Sequence, residues 1–281
     1  MKKFSKILLI SIFICTIFVQ IVLAKLQSPE DRAKALKALE GVEIPKPANL
    51  DAFGVGEYLD FGVYVALPGI GKIPLKGGHG ILSVPTVVER DGHLCYWIRS
   101  LAFSTGLVGQ IYPVSDTVES FVDVDSLYPW FFYKSVREGN YRDHYEIKFD
   151  QIHNRAIRKD VFDVETYPRV QDILSAFYYV RTLNLQVGDT IPLPYHEHGG
   201  NYPIHIIVHS REKVKVPAGK FDCLKIEPVI ATEGLFKKKG RMYLWVTDDR
   251  RKMPVKMVSK IPVGSVRAVL LDYVLGDTDW R

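Results

Sequence analysis

The chain has 281 residues, 47% of them apolar and 12% aromatic, with 37 basic and 32 acidic side chains and a formal net charge of +5. Such a composition buries a sizeable core, and its near-balanced charge excludes a dedicated nucleic-acid surface, which would gather Lys and Arg on one face. No fixed-period repeat, low-complexity tract or long polar linker divides the chain, and 3 cysteines exclude a disulfide scaffold.

The opening stretch, MKKFSKILLISIFICTIFVQIVLAKLQ, places Lys2, Lys3 and Lys6 before an uncharged run from Ile7 to Leu23 and ends in Val22, Leu23 and Ala24, a pattern that a signal peptidase reads. Residues 1–24 are therefore expected to be a signal peptide and the chain to be exported. Cleavage after Ala24 leaves 257 residues with 34 basic against 32 acidic side chains, a net charge near +2. Retention is the alternative, and the run would then be the chain's membrane contact, although it is short of the ~20 apolar residues of a spanning helix. Cys15 lies within the run and lacks the context of a lipidated cysteine. Cys95 and Cys223 remain, either as a disulfide or as two separate thiols.

Residues 25–54 read as a short helix and a linker. Ser28 is an N-cap, Pro29 takes the first helical position, and Leu36 and Leu39 supply a thin apolar stripe before Gly41 and Pro45. From residue 55 to residue 281 a single β-rich domain is expected. GEYLDFGVYVAL, GHGILSVPTVV, HLCYWIRSLAF, WFFYKSVREG and YRDHYEIKFD are alternating or wholly apolar runs bounded by Gly, Asp and Asn.

One helix interrupts them. In RVQDILSAFYYVRTL, Ile173, Leu174, Phe177, Val180 and Arg181 fall at helical spacing, which predicts a helix from about Val170 to Leu183. Strand patterns then resume through TIPLPY, YPIHIIVHS, EKVKV, KFDCLKIEPVI, GRMYLWVT, PVKMVSKI and SVRAVLLDYV. Their connections are too short for crossover helices, so neighbours pair antiparallel. The expected fold is mainly β: a curved antiparallel meander, an open or partly closed barrel, with one long helix packed on its concave face.

Several segments together resemble a family of exported bacterial proteins known as domain of unknown function 3108. They are Gly56-Glu57, YKSVREGNYRDHYEIKFD, VQDILSAFYYVR, EKVKVPAGKFDCLKIEP and LWVTDDRRKMPVKMVSKIPVGSVRAVL, in that order from Gly56 to Leu271. LPGIGKIPLKGGHG and the histidine-rich loop depart from the pattern. The resemblance implies an exported β domain in the periplasm or cell envelope of a bacterium and supplies no reaction. By analogy of fold alone, a curved sheet closed by a helix is similar to the periplasmic lipoprotein carriers.

The four adjacent charges Asp248, Asp249, Arg250 and Arg251 sit between alternating Met242, Leu244 and Val246 and the resumed Val255 and Met257, so they occupy a hairpin reversal and read as a solvated turn. In YHEHGGNYPIHIIVH, His196 and His198 share a loop while His205 and His209 share a strand face. That makes it the best metal candidate, yet with Glu197 solvated and no fixed third ligand it reads as a polar hairpin end, and no metal or cofactor is assigned.

The helix carries two readings. In one it is a packing element whose Arg181 pairs with an acid on a neighbouring strand. In the other, Tyr178 and Tyr179 wall a ligand cavity, Arg181 meets an anionic head group at its mouth, and Trp130 and Phe132 supply the opposite wall. Phe177 is the ring expected in the core. No nucleophile elbow, zinc-binding helix, Cys-x-x-Cys pair or phosphate loop is present, so no catalytic residue is assigned. The function expected is a non-catalytic envelope protein binding a hydrophobic or amphipathic ligand, a lipid for example, in a helix-lidded cavity. The alternatives are an envelope interaction or assembly factor, and a hydrolase with a dispersed site.

Overall fold

The computed structural model describes residues 28–66, 74–230, 241–261 and 264–280. The expected export segment, its cleavage site and Cys15 lie outside these residues, as does part of the LPGIGKIPLKGGHG excursion.

Antiparallel strands dominate the described chain. In order they are β1 (Glu57–Ala66), β2 (Leu75–Val84), β3 (Val87–Arg90), β4 (His93–Ser104), β5 (Ser115–Asp123), β6 (Pro129–Glu138), β7 (Tyr141–Asp150), β8 (Arg155–Arg158) and β9 (Phe162–Glu165). They continue as β10 (Thr190–Glu197), β11 (Gly200–Val216), β12 (Gly219–Ile230), β13 (Met242–Thr247), β14 (Pro254–Ile261) and β15 (Gly264–Val274). Period-two patterning explains why they form a sheet with an inside. In β7 Tyr145, Ile147 and Phe149 are buried and His144, Glu146 and Lys148 exposed.

One sheet contains them all, in the order β10 to β15, then β1, β2, β4 and on to β9, with β3 paired to β4. Two meanders are thus joined where β1 pairs with both β15 and β2, Val63 standing opposite Ala268 on one side and Gly78 on the other. The sheet is large, antiparallel and not closed: β9 and β10 are its edges. Both edges are nonetheless occupied. Gln171 lies along β10, its N–H donating to Pro194 O and its carbonyl accepting from His196 N, each 2.9 Å. Asn201 Nδ2 reaches Glu165 O at 2.8 Å. These contacts satisfy part of the edge that a strand ladder would otherwise have to cover.

Three α-helices accompany the sheet among the described residues: α1 (Pro29–Ala38), α2 (Gly106–Ile111) and α3 (Ile173–Arg181). Ser28 caps α1 through Asp31 N, as its sequence implies, and Ala35 and Leu39 are buried. The helix lies against β11 and is held by Tyr167, whose hydroxyl donates to Ala35 O. The helix expected over 170–183 is shorter, because Asp172 is an extended N-cap in a full capping box with Ser175 while Gln171 is committed to the β10 edge. Among the described residues of the β domain the helix is neither single nor long, and α2 was not expected: GLVGQI is short, carries two glycines and has no side-chain cap.

Cys95 and Cys223 are free and buried. They belong to different apolar clusters, Cys95 with Phe121, Trp130 and Phe131 and Cys223 with the main core, so the two-thiol reading holds. Burial pushes both thiols up to about 12, which leaves them unreactive at neutral pH.

Candidate functional site

The helix α3 lies against β4, β5 and β10, and eight of its nine residues are buried. Beneath it is a cavity of about 60 Å³. The helix contributes Ile173, Leu174, Ala176, Phe177 and Val180 to the lining; the sheet contributes Leu193 from β10, Ile204 and Ile206 from β11, and Met242 and Leu244 from β13. Leu82, Ile226 and Pro228 complete it, so every lining side chain is apolar. An apolar void of this kind stays dry and binds apolar groups, but about 60 Å³ is well below the ~150 Å³ that accommodates a benzene-sized guest. A chain-length ligand therefore requires part of the lining to move. Phe177, half-buried, is the one aromatic ring in the lining.

The C-terminal end of α3 is fixed. Arg181, 1% exposed, forms a bidentate pair with Glu57 of β1 through two 2.7 Å contacts and donates to Ala52 O at 3.0 Å and Arg251 O at 3.3 Å. Its guanidinium stacks 4.8 Å from the Tyr178 ring, and that ring meets Phe53 edge-on at 4.7 Å. Tyr179 donates to Pro45 O at 2.6 Å, and Thr182 O accepts from Ala48 N and Asn49 N. Arg251 O belongs to the four-charge turn. There Asp249 Oδ1 accepts from the Thr247 hydroxyl and from Arg251 N and Lys252 N at 2.7–3.0 Å, while Asp248 pairs with Arg211 at 2.6 Å. As expected, Asp248, Asp249 and Arg250 are exposed. Sequence reasoning missed that the turn's backbone supports α3.

The N-terminal end faces polar groups inside the sheet. Asp172, capping α3, also accepts from Ser120 at 2.5 Å, and burial raises its carboxyl to about 7 against the pull of these hydrogen bonds. Along β10 the cavity residue Leu193 is followed on the same face by Tyr195 and Glu197. Glu197 accepts from Tyr195 and from Tyr145 and lies 3.5 Å from Lys134 Nζ, all four side chains being buried. It is not solvated: the β6 and β7 residues that cover it are more than fifty positions away in sequence. Lys134 Nζ has no hydrogen-bond partner among the described residues. On the same face of β6, Glu138 is raised to about 8 by burial and by the nearby Asp116, itself raised by burial.

The five residues proposed from sequence are not gathered at the cavity. Tyr178, Tyr179 and Arg181 are packed into the Phe53, Pro45 and Glu57 side of α3, and Phe177, expected in the core, faces the cavity instead. Phe132 is buried in the main core against Tyr145. Trp130 lies in the smaller cluster, stacked on His93 at 3.6 Å and donating to Asp123 at 3.1 Å. The histidines disperse too. His196 is buried against Asn201 and pushed down to about 4 by burial, His209 pairs with Glu227 at 2.7 Å, and His205 stands opposite Val229. Among the described residues no group of three or more His, Cys, Asp or Glu side chains is arranged to hold a metal.

Residues 63–271 match the family described as protein of unknown function DUF3108. A crystal structure of a beta-barrel-like protein of domain of unknown function DUF1849 from Brucella abortus superposes with a TM-score of 0.53 at 10% identity, covering 80% of this chain and 99% of that one. At that identity the likeness is one of fold. A candidate lipoprotein from Parabacteroides distasonis gives a TM-score of 0.37 at 12% identity, over 82% of this chain and 100% of its own. A candidate exported protein of YmcC-like fold from Bacteroides fragilis gives 0.30 at 14%, over 81% and 99%. No curated protein matches the sequence.

Proposed function

Since this chain belongs to the DUF3108 family, whose function is not assigned, we propose from its geometry that it is a non-catalytic envelope protein that binds a hydrophobic or amphipathic ligand between α3 and the sheet. In this reading α3 covers the concave side of a barrel-like sheet. The observation that carries it is the lining: a cavity walled only by apolar side chains from one helix and strands β2 and β10–β13, bordered along β10 by Tyr195 and Glu197. The binding wall thereby passes from Tyr178 and Tyr179 to Phe177, Ala176 and Val180. An apolar tail fits the lining, and a polar end would meet the groups around Lys134 and Glu197.

Export rests on the sequence pattern of residues 1–24 and on the family resemblance. Among the described residues no helix is long and apolar enough to cross a membrane. N-terminal sequencing of the envelope form tests the export reading: a chain beginning at Lys25 supports it, and retention of residues 1–24 makes the chain an anchored one. Displacement of a fluorescent fatty acid by unlabelled acyl chains tests the binding reading. Saturable uptake that weakens when Ala176→Leu fills the cavity supports it, and no uptake removes it.

A further inference from the structure

The most exposed apolar side chains of the described sheet connections include Leu107 and Ile111, 76% and 73% exposed on α2. They are four residues apart and so share one face of the helix. None of the six residues of α2 is buried, and the helix carries no charge. It is held from below: Thr105 N donates to Gly77 O at 3.0 Å, the Ser104 hydroxyl donates to Tyr112 O at 3.2 Å, and Val108 packs on the core. Tyr112 lies against the β6–β7 turn, where Gly139 N donates to Pro113 O at 2.8 Å. The outer face of α2 thus projects from a rigid support, not from a loose loop.

The surroundings of this face are selective in charge. At one end Lys76 is exposed beside Leu75, 47% exposed, and Phe103, 36% exposed. At the other, Arg137 and Arg142 are exposed around Tyr141, 50% exposed. Arg142 is fixed there by its donations to Gly139 O and Tyr141 O at 2.8 and 2.7 Å. Among the described residues the acids of the same region are fewer and less exposed: Asp116 and Glu138 are buried, and the half-buried Asp143 accepts from the Tyr141 hydroxyl at 3.5 Å, leaving Lys76, Arg137 and Arg142 in excess. Two aliphatic side chains, an interfacial tyrosine and a basic rim are the composition by which a peripheral segment enters the head-group region of an anionic bilayer. A second copy of the chain fits poorly, since a two-fold contact would set each basic rim against itself.

We propose that α2 is a membrane-docking knuckle, inserting Leu107 and Ile111 into a bilayer rich in anionic phospholipid while Lys76, Arg137 and Arg142 engage its head groups. This contact is separate from any anchoring by the N-terminal run and does not depend on the cavity binding a ligand.

The test uses the full chain with Cys15→Ser and Gln110→Cys, labelled at residue 110 with an environment-sensitive fluorophore; Cys95 and Cys223 are buried and do not compete. Phosphatidylcholine vesicles are added with and without phosphatidylglycerol. The expected result is a blue shift that needs phosphatidylglycerol, is screened by salt, and demands roughly tenfold or more lipid in the Leu107→Asp/Ile111→Asp variant. Lys76→Glu/Arg137→Glu should remove the preference for anionic lipid. A label at Ile152→Cys, 74% exposed beyond the far end of β7, should not respond. Should the double aspartate variant unfold, Leu107→Ser/Ile111→Ser replaces it. The proposal is overturned by no shift at residue 110, by an equal shift in the variants or on pure phosphatidylcholine, or by an equal response at residue 152, which would trace binding to another part of the chain. A shift that depends on protein concentration without vesicles would overturn it in favour of self-association.

Discussion

Replacing Arg181 with alanine isolates the contact that fixes α3 to the sheet. The arginine and Glu57 side chains are 1% and 0% exposed, and two 2.7 Å hydrogen bonds join them. Removing the guanidinium leaves the Glu57 carboxylate in a dry environment and strands Ala52 O, which accepted at 3.0 Å. Breaking a buried pair from one side costs about 3–5 kcal/mol, since the surviving charge keeps its desolvation penalty without its partner. In a domain of this size that corresponds to a fall in Tm of roughly 10 °C. Urea unfolding should show the loss for Arg181→Ala and a comparable one for Glu57→Ala. The double variant Glu57→Leu/Arg181→Leu should recover most of it, because apolar replacement of both partners is often near neutral. Binding of anionic and neutral acyl probes should change equally. The reasoning fails if Arg181→Ala costs under about 1 kcal/mol, or if it keeps its stability and loses anionic probes alone, which would return Arg181 to a head-group role.

The two neighbouring rings of α3 should separate binding from stability. Tyr178→Ala removes a buried ring and should cost about 3–5 kcal/mol, whereas the half-buried Phe177 truncated to alanine should alter acyl-probe affinity with a smaller loss, both read from paired urea and probe titrations. In the four-charge turn, Asp249→Ala loses an acceptor of three hydrogen bonds and should cost about 1–2 kcal/mol. Asp248→Ala loses a solvated pair with Arg211 and should cost about 1 kcal/mol or less; equal effects in urea unfolding would contradict this assignment. Burial and the Asp116 charge hold the Glu138 carboxyl at about 8 from an ordinary 4.5, so the folded chain keeps a proton that the unfolded chain has lost above that ordinary value. Its contribution is complete below about pH 4.5 and is lost as pH rises through about 8. Tm should fall across this window, and Glu138→Gln, which does not titrate, should flatten the profile; an unchanged slope would exclude Glu138 as its source.

Alternation in sequence made β7 legible, because it buries one face and solvates the other and the buried set can be read off every second residue, whereas in β13 Trp245 and Thr247 are buried alongside Leu244 and Val246. The start of α3, at Ile173 where the spacing suggested about Val170, is likewise a local matter, since a cap is decided within three residues and the Asp172–Ser175 box sets it. The choice between Phe177 and Tyr178 was not. Helical periodicity orients a helix that has one wet side, but α3 is enclosed on nearly all sides, so its pattern could not tell the ring facing the cavity from the ring facing Phe53. An acid partner for Arg181 could be expected on electrostatic grounds, yet its identity depended on Glu57, 124 positions away. Glu197 was misread because a charge between histidines and glycines carries a strong hairpin signal, while the residues that bury it, Lys134 and Tyr145, arrive from β6 and β7.

The claim that α3 and the sheet enclose a ligand site is tested most directly by native mass spectrometry of the chain purified from its own envelope, beside the Ala176→Leu variant prepared identically. Ala176 is 7% exposed and lines the cavity. Added methyl groups there occupy the void and leave the Arg181–Glu57 contact untouched. The account predicts a mass increment of a lipid or other amphipath on the parent chain, absent or sharply reduced in Ala176→Leu at an unchanged Tm. A parent chain that flies at its bare mass and takes up no acyl probe, or a variant that retains the same increment, contradicts it.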